Sequence, residues 1–412
     1  MGLEVAGDII TMTPGPIDVH AHPRAFDPLP DGKAGLEAYT EVMLESGITV
    51  MLAMPNESRR QINDKTGQIE QVQYPISNPD RVGAMETAIS SQSRVLAGIH
   101  LGIDKKEVLS DNGSEVVAYK ARRLFYSAGR NATGLKLWVD ESTGGMNVSI
   151  DHASQLVGEW NKFYPDKPTI VHAEDGNVRA ILSAIAEKPN GKEIPIHIAH
   201  VSSREELEAV IEAKENGMRV TCEVTPHHLF ATAAEVVQIN GFGCVKPRLK
   251  KAEDVQFLWD NMDHIDVFAS DCAPHRLEEK EAENPAFGVT NHTVMMPLLL
   301  GAVSEGRIKM DDLYQKIVVT PREIFNISME DGTSAAFDMS DNFASIADAE
   351  RTISPPYGQN MFVHLEQLGT LYHLAGRAVH AVSGESEFRS GQNGTVARNY
   401  HVSLRHLVKC PR

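Results

Sequence analysis

Short apolar runs recur along the first three quarters of the chain. They lie at 15–20 (GPIDVH), 48–54 (ITVMLAM), 94–100 (RVLAGIH), 134–139 (GLKLWV), 168–172 (PTIVH), 195–200 (PIHIAH), 219–223 (RVTCE) and 265–270 (IDVFAS). Most carry apolar residues at consecutive positions, as strands covered on both faces do. Between them, stretches such as 204–216 (REELEAVIEAKEN) place apolar residues at helical spacing. Eight strands alternating with helices predict an α/β fold, a (β/α)8 TIM-like barrel. The connection 55–93 is unusually long, and its polar first half predicts an inserted loop or hairpin ahead of a short helix at 80–90. After about residue 330, turns and two-residue alternation replace this rhythm, as in GTLYHLAGRAVHAVSG. That texture predicts a few antiparallel strands. The expected division is a barrel over 14–325, with 1–13 and 330–412 giving a small β-rich domain formed by the N- and C-terminal segments, and a polar tail.

Composition narrows the function classes. The chain has 412 residues and a formal net charge of −17, with 39 Lys and Arg against 56 Asp and Glu. Such a balance argues against nucleic-acid or anionic-membrane partners. No apolar stretch is long enough to span a bilayer, and the first residues lack a signal-peptide pattern. Cys222, Cys244, Cys272 and Cys410 form no CxxC pair, which predicts reduced thiols and a cytoplasmic location.

Candidate chemistry sits at the strand ends, where barrels of this kind carry their functional groups. The first run ends in His20 and, one residue on, His22; side chains two apart fall on one side of an extended chain. His172 and His200 end two further runs, and Asp271 follows the eighth. Imidazoles and a carboxylate converging from separate strands suit a catalytic metal such as zinc. Lys136 interrupts an apolar run, where a cation is costly. Either it snorkels or pairs with an acid, or its neutral amine reacts with carbon dioxide to give an anionic carbamate. His197, His227 and His228 are expected to be structural.

Taken in order, PGPIDVHAHPR, SGITVMLAMPN, GLKLW, HAEDGNVRAIL, IHIAHVSSREE, VTCEVTPHHLF, WDNMDHIDVFASDCAPH, LEEK and PLLLGAVSEGR cover most of 14–325. These stretches resemble the amidohydrolase superfamily and, within it, the dihydroorotases, including the dihydroorotase domain of the multifunctional pyrimidine-synthesis protein. The resemblance implies reversible cyclisation of N-carbamoyl-L-aspartate to L-dihydroorotate. It further implies two Zn2+ per chain. His20, His22 and Asp271 would hold one and His172 and His200 the other, bridged by carboxylated Lys136 and hydroxide. Asp271 would be the general acid/base, and Arg24, Asn56 and His275 would bind the substrate carboxylate. A homodimer is implied, or membership of a multienzyme protein with carbamoyl phosphate synthetase and aspartate transcarbamoylase. The short stretch before the first strand fits a domain of such a polypeptide.

The sequence departs from the family around the substrate. Arg24 is followed by Ala25-Phe26-Asp27 rather than an acid and Pro-Gly. Cys272 replaces a histidine, Glu57 follows Asn56 in place of threonine, and Thr290-Asn291 aligns with a Pro-Gly. The loop 140–147 (DESTGGMN), with Ser142, Thr143 and two glycines, is expected to move over substrate. Two alternatives stay open: a catalytically silent scaffold domain, and a related cyclic amidohydrolase of the hydantoinase or allantoinase kind.

Overall fold

A computed structural model describes residues 2–26, 35–108, 114–142, 146–353, 360–383 and 386–389. All eight apolar runs form strands, in chain order Ile17–Ala21, Val50–Ala53, Leu96–Ile99, Leu135–Trp138, Thr169–His172, Ile196–Ile198, Val220–Val224 and Val267–Phe268. The first three pair in parallel, as do the last five. Parallel bridges Leu101↔Leu135 and Ala21↔Cys272 join the two sheets into a closed barrel. Closure leaves no unpaired sheet edge. Ile17, Val19, Val50, Leu52, Leu96, Ile170 and Val267 form an apolar cluster with Phe325. A larger cluster fills the space between strands and helices.

The helices begin where local chemistry starts them. Asn78 caps Pro79–Gln92 by accepting from the Arg81 N–H, with proline at the first turn. Ser203 and Glu206 form a reciprocal capping box for Arg204–Glu215. Ile150–Phe163 turns Ala153, Leu156, Val157 and Trp160 inward.

The long connection after the second strand is an antiparallel hairpin, Asn56–Ile62 with Ile69–Pro75, followed by the expected helix. A separate antiparallel sheet orders Gly2–Ala6, Ile9–Thr13, Ser334–Asp338, Arg377–Ser383 and Ser386–Arg389. Within GTLYHLAGRAVHAVSG only the second half is strand. Two helices, Ile346–Ile353 and Met361–Gln367, stand where alternation alone was expected. Their apolar faces, with Ile346, Ala349, Phe362 and Leu365, pack into one cluster beside the barrel. Most of the polar tail lies outside the described residues. Cys222, Cys244 and Cys272 are free thiols, and Cys410 lies outside the described residues. No described helix is long and apolar enough to cross a membrane.

Candidate metal centre and substrate pocket

The C-terminal ends of the strands open onto one pocket of about 380 Å3. His20, His22, His172, His200, Asp271, Arg24 and Asn56 all line it. The HxH geometry holds, with ring centroids of His20 and His22 5.3 Å apart. Asp271 Oδ1 lies 3.3 Å from His20 Nε2 and 3.1 Å from His22 Nε2. His172 Nδ1 faces His200 Nε2 at 2.8 Å. Donor atoms of His20, His200 and Asp271 fall within 4.8 Å of one another.

Lys136 sits fully buried between these groups, and its Nζ has no hydrogen-bond partner in the structure. Burial lowers its pKa to about 8, although Glu223 and Asp271 oppose the shift. About a tenth of such amines are uncharged at pH 7. Burial first, then Lys136, holds the His20 imidazole well below its ordinary pKa. Burial also lowers His172 and, together with His172 and His20, lowers His200 well below 6.5. All three are neutral rings with lone pairs to offer, the form a metal requires.

The donor set fits a metal. Neutral imidazoles and a carboxylate converge on one space, and His22 Nδ1 and His200 Nδ1 are buried without a hydrogen-bond partner. Without a cation, two histidine nitrogens at 2.8 Å would have only each other to face.

Carboxylates missed in the sequence hold these ligands. Glu223, wholly buried in the seventh strand, pairs with His20 Nδ1, accepts from the His200 N–H at 3.2 Å and meets His197 Nε2 at 3.1 Å. A carboxylate behind a ligating imidazole fixes its tautomer and its aim. The sequence signal was a charged residue inside an apolar run, as for Lys136. His197 thus has the structural role expected. His228 has one too, between Thr225 Oγ1 at 2.9 Å and the Pro247 carbonyl at 3.1 Å. His227 is buried against Asn291, away from the pocket lining. Glu174 lies 3.3 Å from His172 Nε2 and 3.4 Å from Lys246 Nζ. Burial opposes its ionisation, but His172 and Lys246 prevail and lower its pKa. Lys246 is a second pocket cation, carried on a loop with no periodicity to reveal it.

In the same pocket as the candidate ligands, Arg24 is held by the carbonyls of Pro274 and Asn56, both at 3.4 Å, and lies 3.2 Å from His275 Nε2. That nitrogen donates to the Phe287 carbonyl at 2.7 Å. Burial, with Arg24 adding to it, lowers His275 to about 4 against the pull of Glu279. Asn56 Oδ1 is buried without a hydrogen-bond partner. Trp138 and Phe287 supply apolar wall.

The departures fall in two places. Glu57 is buried at the hairpin base and does not line the pocket. Thr290 and Asn291 line a separate small cavity behind Cys272. The close backbone approach belongs instead to Gly288, at φ 143°, where a Cβ would lie 2.4 Å from the Ala273 carbonyl. Ser142 lines the pocket, but 143–145 of the expected mobile loop lie outside the described residues. Arg24, Asp175, His200 and Asp271 all have φ between 37° and 51°. Such strain persists only where the surroundings enforce it, and Arg24, His200 and Asp271 carry it into the pocket lining.

The barrel gathers at its mouth a donor set that could hold a metal ion, with an arginine in the same pocket. No family model matches the chain. It is 33% identical over 327 residues to the multifunctional protein CAD of Squalus acanthias, a match covering 79% of this chain and 13% of that protein. It is 30% identical over 314 residues to the dihydroorotase of Pyrococcus abyssi, covering 76% of this chain and 68% of the relative. The dihydroorotase of Thermococcus kodakarensis is 31% identical over 345 residues, covering 80% and 73%. Among solved structures, the L-hydantoinase of Arthrobacter aurescens superposes with a TM-score of 0.70 at 19% identity, over 95% of this chain and 87% of that one. An inactive dihydroorotase-like domain of a Chaetomium thermophilum CAD-like multifunctional protein gives 0.62 at 19% identity, over 92% and 94%. The chain belongs to the dihydroorotase family. It spans only 13% of the length of its multifunctional relatives.

Proposed function

We propose that the chain is a dihydroorotase, interconverting L-dihydroorotate and N-carbamoyl-L-aspartate in pyrimidine synthesis. The observation that carries this reading is the meeting of His20, His22, His172, His200 and Asp271 with Arg24 and Asn56 in one pocket, with Lys136 buried close to the imidazoles and His275 3.2 Å from Arg24. His20, His22 and Asp271 would hold one Zn2+, and His172 and His200 a second, with carboxylated Lys136 between them. When bound, the ions would supply Lewis acidity and a nucleophilic water at neutral pH. Asp271 Oδ1 takes the proton released by the attacking water and returns it to the departing ring nitrogen. Arg24 grips the substrate carboxylate through its planar fork. Trp138 and Phe287 shield the ring from water.

The full set of donors supports an enzyme over a silent scaffold. An arginine placed for a carboxylate supports an acidic ring over a plain hydantoin. The domain limits 14–325 for the barrel, with 1–13 and 330–412 for the small β domain and tail, belong to this proposal. So do a homodimer, a cytoplasmic setting and a place among other pyrimidine enzymes. The test is hydrolysis of L-dihydroorotate by zinc-loaded protein in bicarbonate buffer, followed by ultraviolet absorbance. Turnover that vanishes in Asp271→Ala is expected; a zinc-loaded protein without turnover would overturn the proposal.

A further inference from the structure

A knot of buried polar groups lies behind the proposed metal ligands and meets them at their backbone. Asp18, wholly buried, accepts from the His20 N–H at 3.1 Å and the Ser270 N–H at 3.0 Å. The Ser270 hydroxyl donates to Asp18 Oδ2 and accepts from the Cys272 N–H at 2.9 Å. His292, at the start of helix His292–Ser304, places Nε2 2.9 Å from Asp18 Oδ2 and 3.1 Å from Ser270 Oγ. Tyr39 packs its ring edge against His292, accepts from the His22 N–H at 3.1 Å and donates to the Cys272 carbonyl at 2.8 Å.

The knot therefore fixes the backbone of three proposed ligands. It holds His20 on the first strand and His22 just beyond it, and it holds Asp271 from both sides, through Ser270 and Cys272. Asp271 has φ 46°, a conformation its neighbours must impose. His292 is the side chain that faces the Asp18 carboxylate in the interior. Burial works against its protonation, but Cys272 and Asp18 outweigh that and raise its pKa to about 10. The family pattern carries a histidine at the position of Cys272; in this chain Cys272 and His292 line one small cavity, and the imidazole enters from the following helix.

We propose that His292 is a positioning residue: the knot it makes with Asp18 and Ser270 sets the aim of His20, His22 and Asp271, and through them the affinity for the metal. The inference rests on the proposed metal ligands, and only its kinetic arm rests on dihydroorotase activity.

The experiment compares wild type, His292→Leu and His292→Gln by zinc competition with a chelator, by circular dichroism and by kinetics on L-dihydroorotate. Folded His292→Leu should lose about 10- to 100-fold in zinc affinity, the range for lost partners of metal ligands. Its kcat should fall while KM holds, because Arg24, Asn56 and His275 lie outside the knot. His292→Gln, whose amide can still donate to Asp18, should recover part of both losses. Wild-type zinc affinity in folded His292→Leu, or no recovery in His292→Gln, overturns the inference. If His292→Leu does not fold, Ser270→Ala removes one hydroxyl from the same knot and must also weaken zinc; unchanged affinity there is equally fatal. A wild-type protein that binds zinc but lacks turnover would sink the dihydroorotase proposal and leave the zinc comparison intact.

Discussion

Replacing Arg24 tests the substrate side of the pocket. The guanidinium is aimed by two carbonyls at 3.4 Å and lies beside His275, so its direction is fixed before substrate arrives. A hydrogen bond to a charged group contributes about 1.5–3 kcal/mol. Arg24→Ala should therefore raise KM for L-dihydroorotate by about 10- to 150-fold. The two freed carbonyls, of the buried Asn56 and Pro274, made only long bonds to a half-exposed Arg24, so little refolding cost should be added. The carboxylate lies away from the bond that breaks, and its grip is alike in ground and transition states. Hence kcat should change little. Arg24→Lys keeps the charge, loses the fork and should fall between. The assay is steady-state kinetics on L-dihydroorotate beside a hydantoin lacking the carboxylate. An unchanged KM, or an equal rise for the hydantoin, would refute the carboxylate grip.

Three further outcomes follow from the same geometry. Lys136→Ala should cut bound zinc below two per chain by elemental analysis, and two retained ions would rule out a carbamate bridge. Arg322 and Asp331 form a wholly buried ion pair at 2.8 Å, so Arg322→Met should cost about 3–5 kcal/mol in urea unfolding, and a loss under about 1 kcal/mol would contradict it. His228 is held neutral mainly by burial, with its pKa near 4 against 6.5 in the unfolded chain. Between those values only the unfolded chain takes up the proton, so stability is full above pH 6.5 and falls as pH drops towards 4, by up to about 3 kcal/mol. His228→Gln should flatten that slope in acid unfolding, and an unchanged slope would count against it.

The barrel was legible because buried parallel strands are apolar at consecutive positions, and each of the eight runs became a strand. The candidate ligands were legible because strand ends are where polar residues break such runs. Glu223 and His292 were harder. Each acts through a partner far along the chain, His20 and Asp18 respectively, and spacing carries no trace of such pairs. Lys246 and Glu174 sit on loops, where no periodicity marks a residue. The helices Ile346–Ile353 and Met361–Gln367 were missed because they are short and flanked by turn residues. Asn291 was misjudged as a pocket residue because alignment cannot tell the front of a wall from its back; its amide donates to the Ser270 carbonyl at 2.7 Å, and Gly288 holds the front.

The strand Ile9–Thr13 finds its second neighbour only in Ser334–Asp338. A ribosome adding about 5–20 residues per second needs roughly 15 s to a minute to make the intervening segment of about 320 residues. The first strand waits nearly as long for Cys272, and with it Asp271, to close the ring. During synthesis the paired histidines are thus an open, half-made binding motif on a nascent chain, and the centre can take its finished shape only after the strand leading to Asp271 has been made.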